Sequence, residues 1–144
     1  TMFTDANTAL DFILAGKSRF TLTSTVSGNS FTFKIDAPKD RETGEVDRSI
    51  LFVKVLNGPD NSWNGDWLFL GFIREGGSLA GGKKGHPDAP SFRALDWTLN
   101  QLAAGNLPES LEIRHEGQCG RCGRALTVPA SIDSGFGPHC ATQL

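Results

Sequence analysis

The last thirty residues constrain this chain more than any other stretch, because all three of its cysteines lie there. They run His115-Glu-Gly-Gln-Cys119-Gly-Arg-Cys122-Gly-Arg, then Leu126-Thr-Val-Pro-Ala-Ser, then Gly135-Phe-Gly-Pro-His139-Cys140. A Cys-x-x-Cys turn lets backbone N–H groups point at two thiolate sulfurs, and Gly123 after it tolerates the positive φ such a turn needs. Cys140 follows a Gly-x-Gly-Pro stretch in which Pro138 suits the first position of a helix. A thiolate there gains from the positive end of the helix dipole. The pattern implies a structural zinc site on Cys119, Cys122 and Cys140. For the fourth ligand His115 is favoured over His139, since neighbouring residues such as His139 and Cys140 seldom point both side chains at one tetrahedral ion. Water or an outside ligand in fourth place would instead leave the open position that catalytic zinc keeps. Free thiols, or one disulfide with a spare cysteine, fit the clustering less well. A thioredoxin-type redox pair is disfavoured because no βαβ pattern surrounds the motif.

The stretch from Cys119 to Cys140 resembles the signature of an uncharacterised group of small phage- and prophage-encoded proteins. Their pattern runs approximately C-x-x-C-G-R-x-L-T-x-P-x-S, then G-x-G-P-x-C. It falls here on Cys119, Cys122, Gly123, Arg124, Leu126, Thr127, Pro129, Ser131, Gly135, Gly137, Pro138 and Cys140. The resemblance covers about the last quarter of the chain. In that pattern the residue before the last cysteine varies, which counts against His139. The resemblance implies a zinc module and a mobile-element origin, and it implies no reaction.

A chain of 144 residues fits one domain with a small appendage and can bury a core of its own. Fourteen basic residues face sixteen acidic ones, for a formal charge of −2. No global basic field therefore exists to drive non-specific DNA binding. Three reduced-looking cysteines suit a reducing cytosol. No apolar run approaches a membrane span, and the N-terminal stretch lacks the pattern of a signal peptide. Thr1 before Met2 looks like a residue left by expression. The expected location is the cytoplasm of a host cell.

Along the body of the chain, residues 5 to 15 read as a short helix, capped by Asp5, ended by Gly16 and striped by Leu10, Ile13 and Leu14. Alternating apolar and polar residues from Arg19 to Val26 and from Phe31 to Asp36, around Ser27-Gly28-Asn29-Ser30, read as a β-hairpin. Residues 37 to 48 read as a loop. Ile50–Leu56 and Trp67–Ile73 are apolar on both faces and read as central strands, joined by a turn-rich loop over residues 57 to 66. Residues 75 to 90, rich in Gly and Pro, read as the most flexible segment. A helix follows, with Ser91 as cap, Gly105 as stop and Phe92, Leu95, Leu99 and Leu102 on one face. Leu111 and Ile113 suggest a last strand that delivers His115 to the cysteine turn.

The expected fold is α+β: a mostly antiparallel sheet of four to five strands, packed by helices on one face. Residues 1–114 form the α+β domain and residues 115–144 a zinc-knuckle or treble-clef-like appendage. That appendage has few large apolar groups, so zinc is the natural substitute for a core in it. On this view metal, rather than apolar packing, fastens the end of the chain to the body.

Other motifs are weaker. Gly77-Ser-Leu-Ala-Gly-Gly82-Lys83-Lys84 fails as a P-loop at the position that should be Ser or Thr, and Gly16-Lys17-Ser18 lacks the earlier glycine. Lys83 and Lys84 can instead contact nucleic acid or an acidic protein. Arg121 and Arg124 flank the cysteine turn, where arginines of zinc modules touch phosphates, although Glu112, Glu116 and Asp133 balance the charge. Trp63, in a polar loop, is either folded onto the sheet edge or an anchor for a partner. His86 has no evident partner. There is no H-E-x-x-H, no nucleophile elbow and no deaminase-type H-x-E with P-C-x-x-C.

These features, with the phage setting that the resemblance implies, lead to the expectation of a non-enzymatic, phage-type interaction protein. The resemblance makes an inhibitor of a host nucleic-acid-targeting defence effector, of the anti-CRISPR kind, the leading expectation. Its partner would be a host protein or ribonucleoprotein. The alternatives are a DNA- or RNA-binding zinc protein acting through Lys83, Lys84, Arg121 and Arg124, and a zinc-dependent enzyme.

Overall fold

Strict alternation from Lys17 onwards puts every second side chain on one side of a strand, and the structure is built on that period. The computed structural model describes residues 2–56, 67–126 and 129–143. The elements are α1 (Ala6–Ile13), β1 (Lys17–Ser24), β2 (Ser30–Asp36), β3 (Ile50–Leu56), β4 (Trp67–Arg74), β5 (Leu79–Ala80), α2 (Pro90–Ala103), β6 (Leu111–His115), α3 (Pro129–Ser134) and α4 (Pro138–Ala141). Trp63, the loop over 57–66 and Thr127 of the signature lie outside the described residues.

The sheet has the order β5-β4-β3-β2-β1-β6, and every pairing is antiparallel. It thus has six strands. The one not foreseen is β5, two residues long, too short to leave a pattern. It lies in the segment expected to be flexible. There His86 is tied to β4 twice: its backbone N–H donates to Leu70 O (2.9 Å) and its Nδ1 bonds to Phe69 O (2.9 Å).

Phe20, Leu22, Phe33, Ile35, Val53 and Ile113 line the inner face. Ala9, Phe12 and Ile13 of α1 and Leu95, Leu99 and Leu102 of α2 join them in one core. Asp5 caps α1 as expected, accepting from Thr8 N–H (2.9 Å). At α2 the cap is Ala89, with Pro90 at the first turn, and Ser91 is buried inside the helix instead of capping it. Trp97 projects from α2 at 44% exposure and is not a core residue.

One irregularity sets what the outer face shows. Val53 pairs with Gly71 but Lys54 with Phe69, so Leu70 is an extra residue on β4 and is fully buried. Phe69 and Phe72 then sit on the outer side, opposite Lys54 and Phe52. The apolar residues on both faces of β3 and β4 thus mark interior strands of the sheet, but Phe52 remains 38% exposed.

Candidate metal centre

The structure brings Cys119, Cys122 and Cys140 together: their sulfurs all lie within 4.8 Å of one another. An antiparallel bridge between Gln118 and Ala125 closes the cysteine turn, with Cys119 N–H donating to Arg124 O and Gly123 N–H to Cys119 O (both 2.8 Å). Gly123 has φ +80°, as the turn requires. Cys140 comes from the single turn of α4, behind Pro138. Cys119 and Cys140 are buried and Cys122 is exposed.

Electrostatics around the sulfurs are uneven. Burial opposes ionisation of Cys119, but N–H groups of Gly137, Cys122 and Arg121 converge on its sulfur and bring the thiol down to about 7. Burial and the neighbouring Cys122 thiol push Cys140 up to about 11, although the Arg121 guanidinium favours its thiolate. Close sulfurs oppose one another's ionisation in this way, and a shared cation would favour the thiolate form of all three. Three clustered sulfurs of this kind can hold a metal ion.

His115, favoured from sequence as the fourth ligand, is not part of this group. Its Nδ1 accepts from Gly117 N–H (3.0 Å) and its Nε2 bonds to Ile132 O, so both ring nitrogens face the backbone. The neutral ring with its proton on Nε2 satisfies both bonds. Burial lowers its pKa against the pull of the Ile132 carbonyl. The ring packs between Phe3 and Phe12, with centroids 5.4 and 5.5 Å away. His115 is a wedge between the sheet and the cysteine-bearing end.

His139, the alternative, also lies outside the three-sulfur group, but it lines a cavity of about 340 Å³ together with Cys122 and Cys140. Arg121 and Arg124 line the same cavity. Arg121 turns inward, its Nη1 donating to Cys140 Sγ (3.9 Å). Arg124 is exposed. Lys83 and Lys84 are exposed in the loop after β5 and are not part of the cysteine group.

The end of the chain is attached to the body by apolar packing that sequence did not reveal. Phe136 is 2% exposed and meets Phe12 edge-on, with centroids 6.0 Å apart. The Phe12 ring also presses on two glycines: a Cβ on Gly120 or Gly135 would lie 2.6 or 2.5 Å from its Cδ2. Backbone bonds from Lys17 N–H to Gly120 O and from Gly120 N–H to Gly135 O (2.8 Å each) complete the seam. All three clustered ligands come from the tail itself. A shared ion would close the tail on itself, while Phe12, Phe136 and His115 hold it to the sheet. The expectation that metal alone fastens the two is corrected accordingly.

No helix among the described residues is long and apolar enough to cross a membrane. Comparison with curated proteins and with solved structures gave no match. Residues 109–144, from the approach to β6 through the three cysteines, match the model of a family of unknown function (DUF6011), so that end of the chain is similar to that family while β1 to β5 and both long helices lie outside the match.

Proposed function

We propose that this chain is a non-enzymatic interaction protein whose C-terminal end is closed by a structural zinc ion. The observation that carries this is the group of three sulfurs within 4.8 Å on a Cys-x-x-Cys turn and a following helix. Thiolate donors select soft or borderline ions. A Zn–S distance of about 2.3 Å puts tetrahedral sulfurs about 3.8 Å apart, inside the observed limit. Cys119, Cys122 and Cys140 would hold the ion, which when bound supplies the charge that lets all three be thiolates. His139 or a non-protein ligand would take the fourth place.

Support for a non-enzymatic role comes from the cavity beside the sulfurs. Among the described residues its lining carries His139 and two arginines but no Asp or Glu, so no carboxylate stands beside His139 to orient or activate it. A zinc-dependent enzyme remains the competing idea because only three ligands cluster among the described residues.

The partner we propose is a host nucleic-acid-targeting effector, a protein or ribonucleoprotein in the host cytoplasm, which the chain would inhibit. Support for this comes from the resemblance of the stretch around the cysteines to a phage-type signature and from a formal charge of only −2 over the whole chain. The test is a pull-down from nuclease-treated host lysate, followed by a cleavage assay of the retained effector with increasing amounts of the chain. Loss of cleavage at stoichiometric amounts is expected. Full cleavage at large excess would overturn the inhibitor.

A further inference from the structure

The outer face of β2, β3 and β4 plays no part in packing the core, yet it is not an ordinary solvated face. Phe52 is 38% exposed, and Trp67, Phe69 and Phe72 are half-buried on the same side. Phe52 and Phe69 lie near each other, with ring centroids 6.4 Å apart. Cations are interleaved with these rings. Lys34 Nζ sits 5.3 Å from the Trp67 ring and Arg74 Cζ 5.0 Å from the Phe72 ring. Lys34 stands directly opposite Lys54 across β2 and β3, and opposite Arg19 on its other side. Like charges paired across strands destabilise a sheet, a cost that Lys34 on Trp67 and Arg19 on Asp36 offset only in part.

Among the described residues the acids of this face lie towards β1 and β6: Asp36 is bound by Arg19 and Glu112 by Arg114, each at 3.0 Å, and Glu116 accepts from Thr21 Oγ1 (3.3 Å). Among the described residues neither Lys34, Lys54 nor Arg74 forms an ion pair. The surplus is local, since the chain as a whole is at −2. The two halves of the face also differ. Across β1 and β2 it carries hydroxyl pairs, Thr21 with Thr32 and Thr23 with Ser30 (2.8 Å each), and across β3 and β4 it carries rings. At the far edge, Gly82 abuts the Phe72 ring and is followed by the exposed Lys83 and Lys84.

We propose that this face binds a short stretch of single-stranded nucleic acid, with bases stacked on Phe52 and Phe69 and phosphates held by Lys34, Lys54 and Arg74. Aromatic rings on an open sheet with cations between them match the two repeating features of such a strand, its π-faces and its phosphates. A duplex hides its base faces and would use only the cations. An acidic protein segment would likewise leave the rings without a matching partner. The inference rests on the proposal that the chain works by binding rather than catalysis, and it does not depend on the inhibitor role or on zinc.

The test uses the full chain, fluorescein-labelled 12-residue oligodeoxythymidine and oligouridine, and fluorescence anisotropy over a salt series. Binding that weakens steeply with salt is expected. Phe52→Ala and Phe69→Ala should each weaken it about tenfold, a typical loss for one stacked base. Phe52→Leu, which keeps an apolar side chain without the ring, should weaken it too. Lys34→Glu with Lys54→Glu should weaken it and flatten the salt dependence, while Arg93→Glu on α2 should change nothing. No binding by the unaltered chain would overturn the inference. So would wild-type affinity in both Phe52 variants, equal competition by duplex of the same length, or loss confined to Arg121→Glu and Arg124→Glu. Each of those results leaves the non-enzymatic proposal standing. Shortening or base conversion of the oligonucleotide during the assay would instead sink that proposal and leave the face as the binding site.

Discussion

Truncating Phe136 separates packing from metal binding. The side chain is 2% exposed and rests against Phe12, whose ring also touches His115. Large-to-small changes at buried phenylalanines cost about 3–5 kcal/mol, the transfer loss plus the cavity left behind. Phe136 lies in a short connection between α3 and α4 that can partly collapse, so the low end, about 3 kcal/mol, applies to Phe136→Ala. With a urea dependence of about 1–3 kcal/mol per molar, the unfolding midpoint should fall by about 1–3 M. The backbone N–H groups around Cys119 remain, and none of the three cysteines is altered. The variant should therefore keep the zinc content of the parent. Urea unfolding followed by tryptophan fluorescence, with elemental analysis of the same samples, measures both quantities. A midpoint within about 0.3 M of the parent would refute the seam between Phe12 and Phe136. Loss of zinc equal to that of Cys122→Ser would refute the separation of the two fastenings.

Three further outcomes follow from the same contacts. Gly120→Ala should destabilise the chain by about 1–3 kcal/mol through overpacking against Phe12, and Phe12→Leu should recover part of that loss in the double variant, as measured by urea unfolding. His115 is held neutral by burial, so its folded pKa lies below the unfolded value of about 6.5. The unfolded state then binds more protons between the two values, and the stability contributed by His115 is complete above about pH 6.5 and lost as pH falls through the lowered folded pKa. His115→Gln, which can still donate to Ile132 O, should remove this component, visible as a flatter stability curve below pH 6.5 relative to the parent; parallel curves would contradict it. His115→Gln should also keep its zinc, because neither ring nitrogen faces the sulfurs.

The parts of this structure that depend on local rules were legible in the sequence. Alternation placed β1 and β2 and apolar runs placed β3 and β4 within a few residues, Asp5 announced the start of α1, and the spacing of Cys119, Cys122 and Cys140 announced that their sulfurs would meet. What failed depended on contacts between distant segments. His115 was favoured as a ligand because a structural site needs a fourth donor and His139 adjoins Cys140. Its two backbone partners and its place between Phe3 and Phe12 exist only once the tail is folded onto α1. Nothing in the sequence marks Gly120 and Gly135 as contact positions, but the Phe12 ring explains why neither has room for a side chain. In β3 and β4, apolar residues on both faces signal an interior strand whether or not the second face is covered. The bulge at Leu70, which decides what the outer face presents beside Phe52, leaves no mark in the pattern.

The central claim is that an ion shared by three sulfurs closes the end of the chain. Elemental analysis of protein purified without chelator, run beside Cys122→Ser and Cys140→Ser, tests it most directly. The account predicts about one zinc per chain in the parent and almost none in either variant. A parent free of zinc, or variants that retain it in full, would contradict the claim.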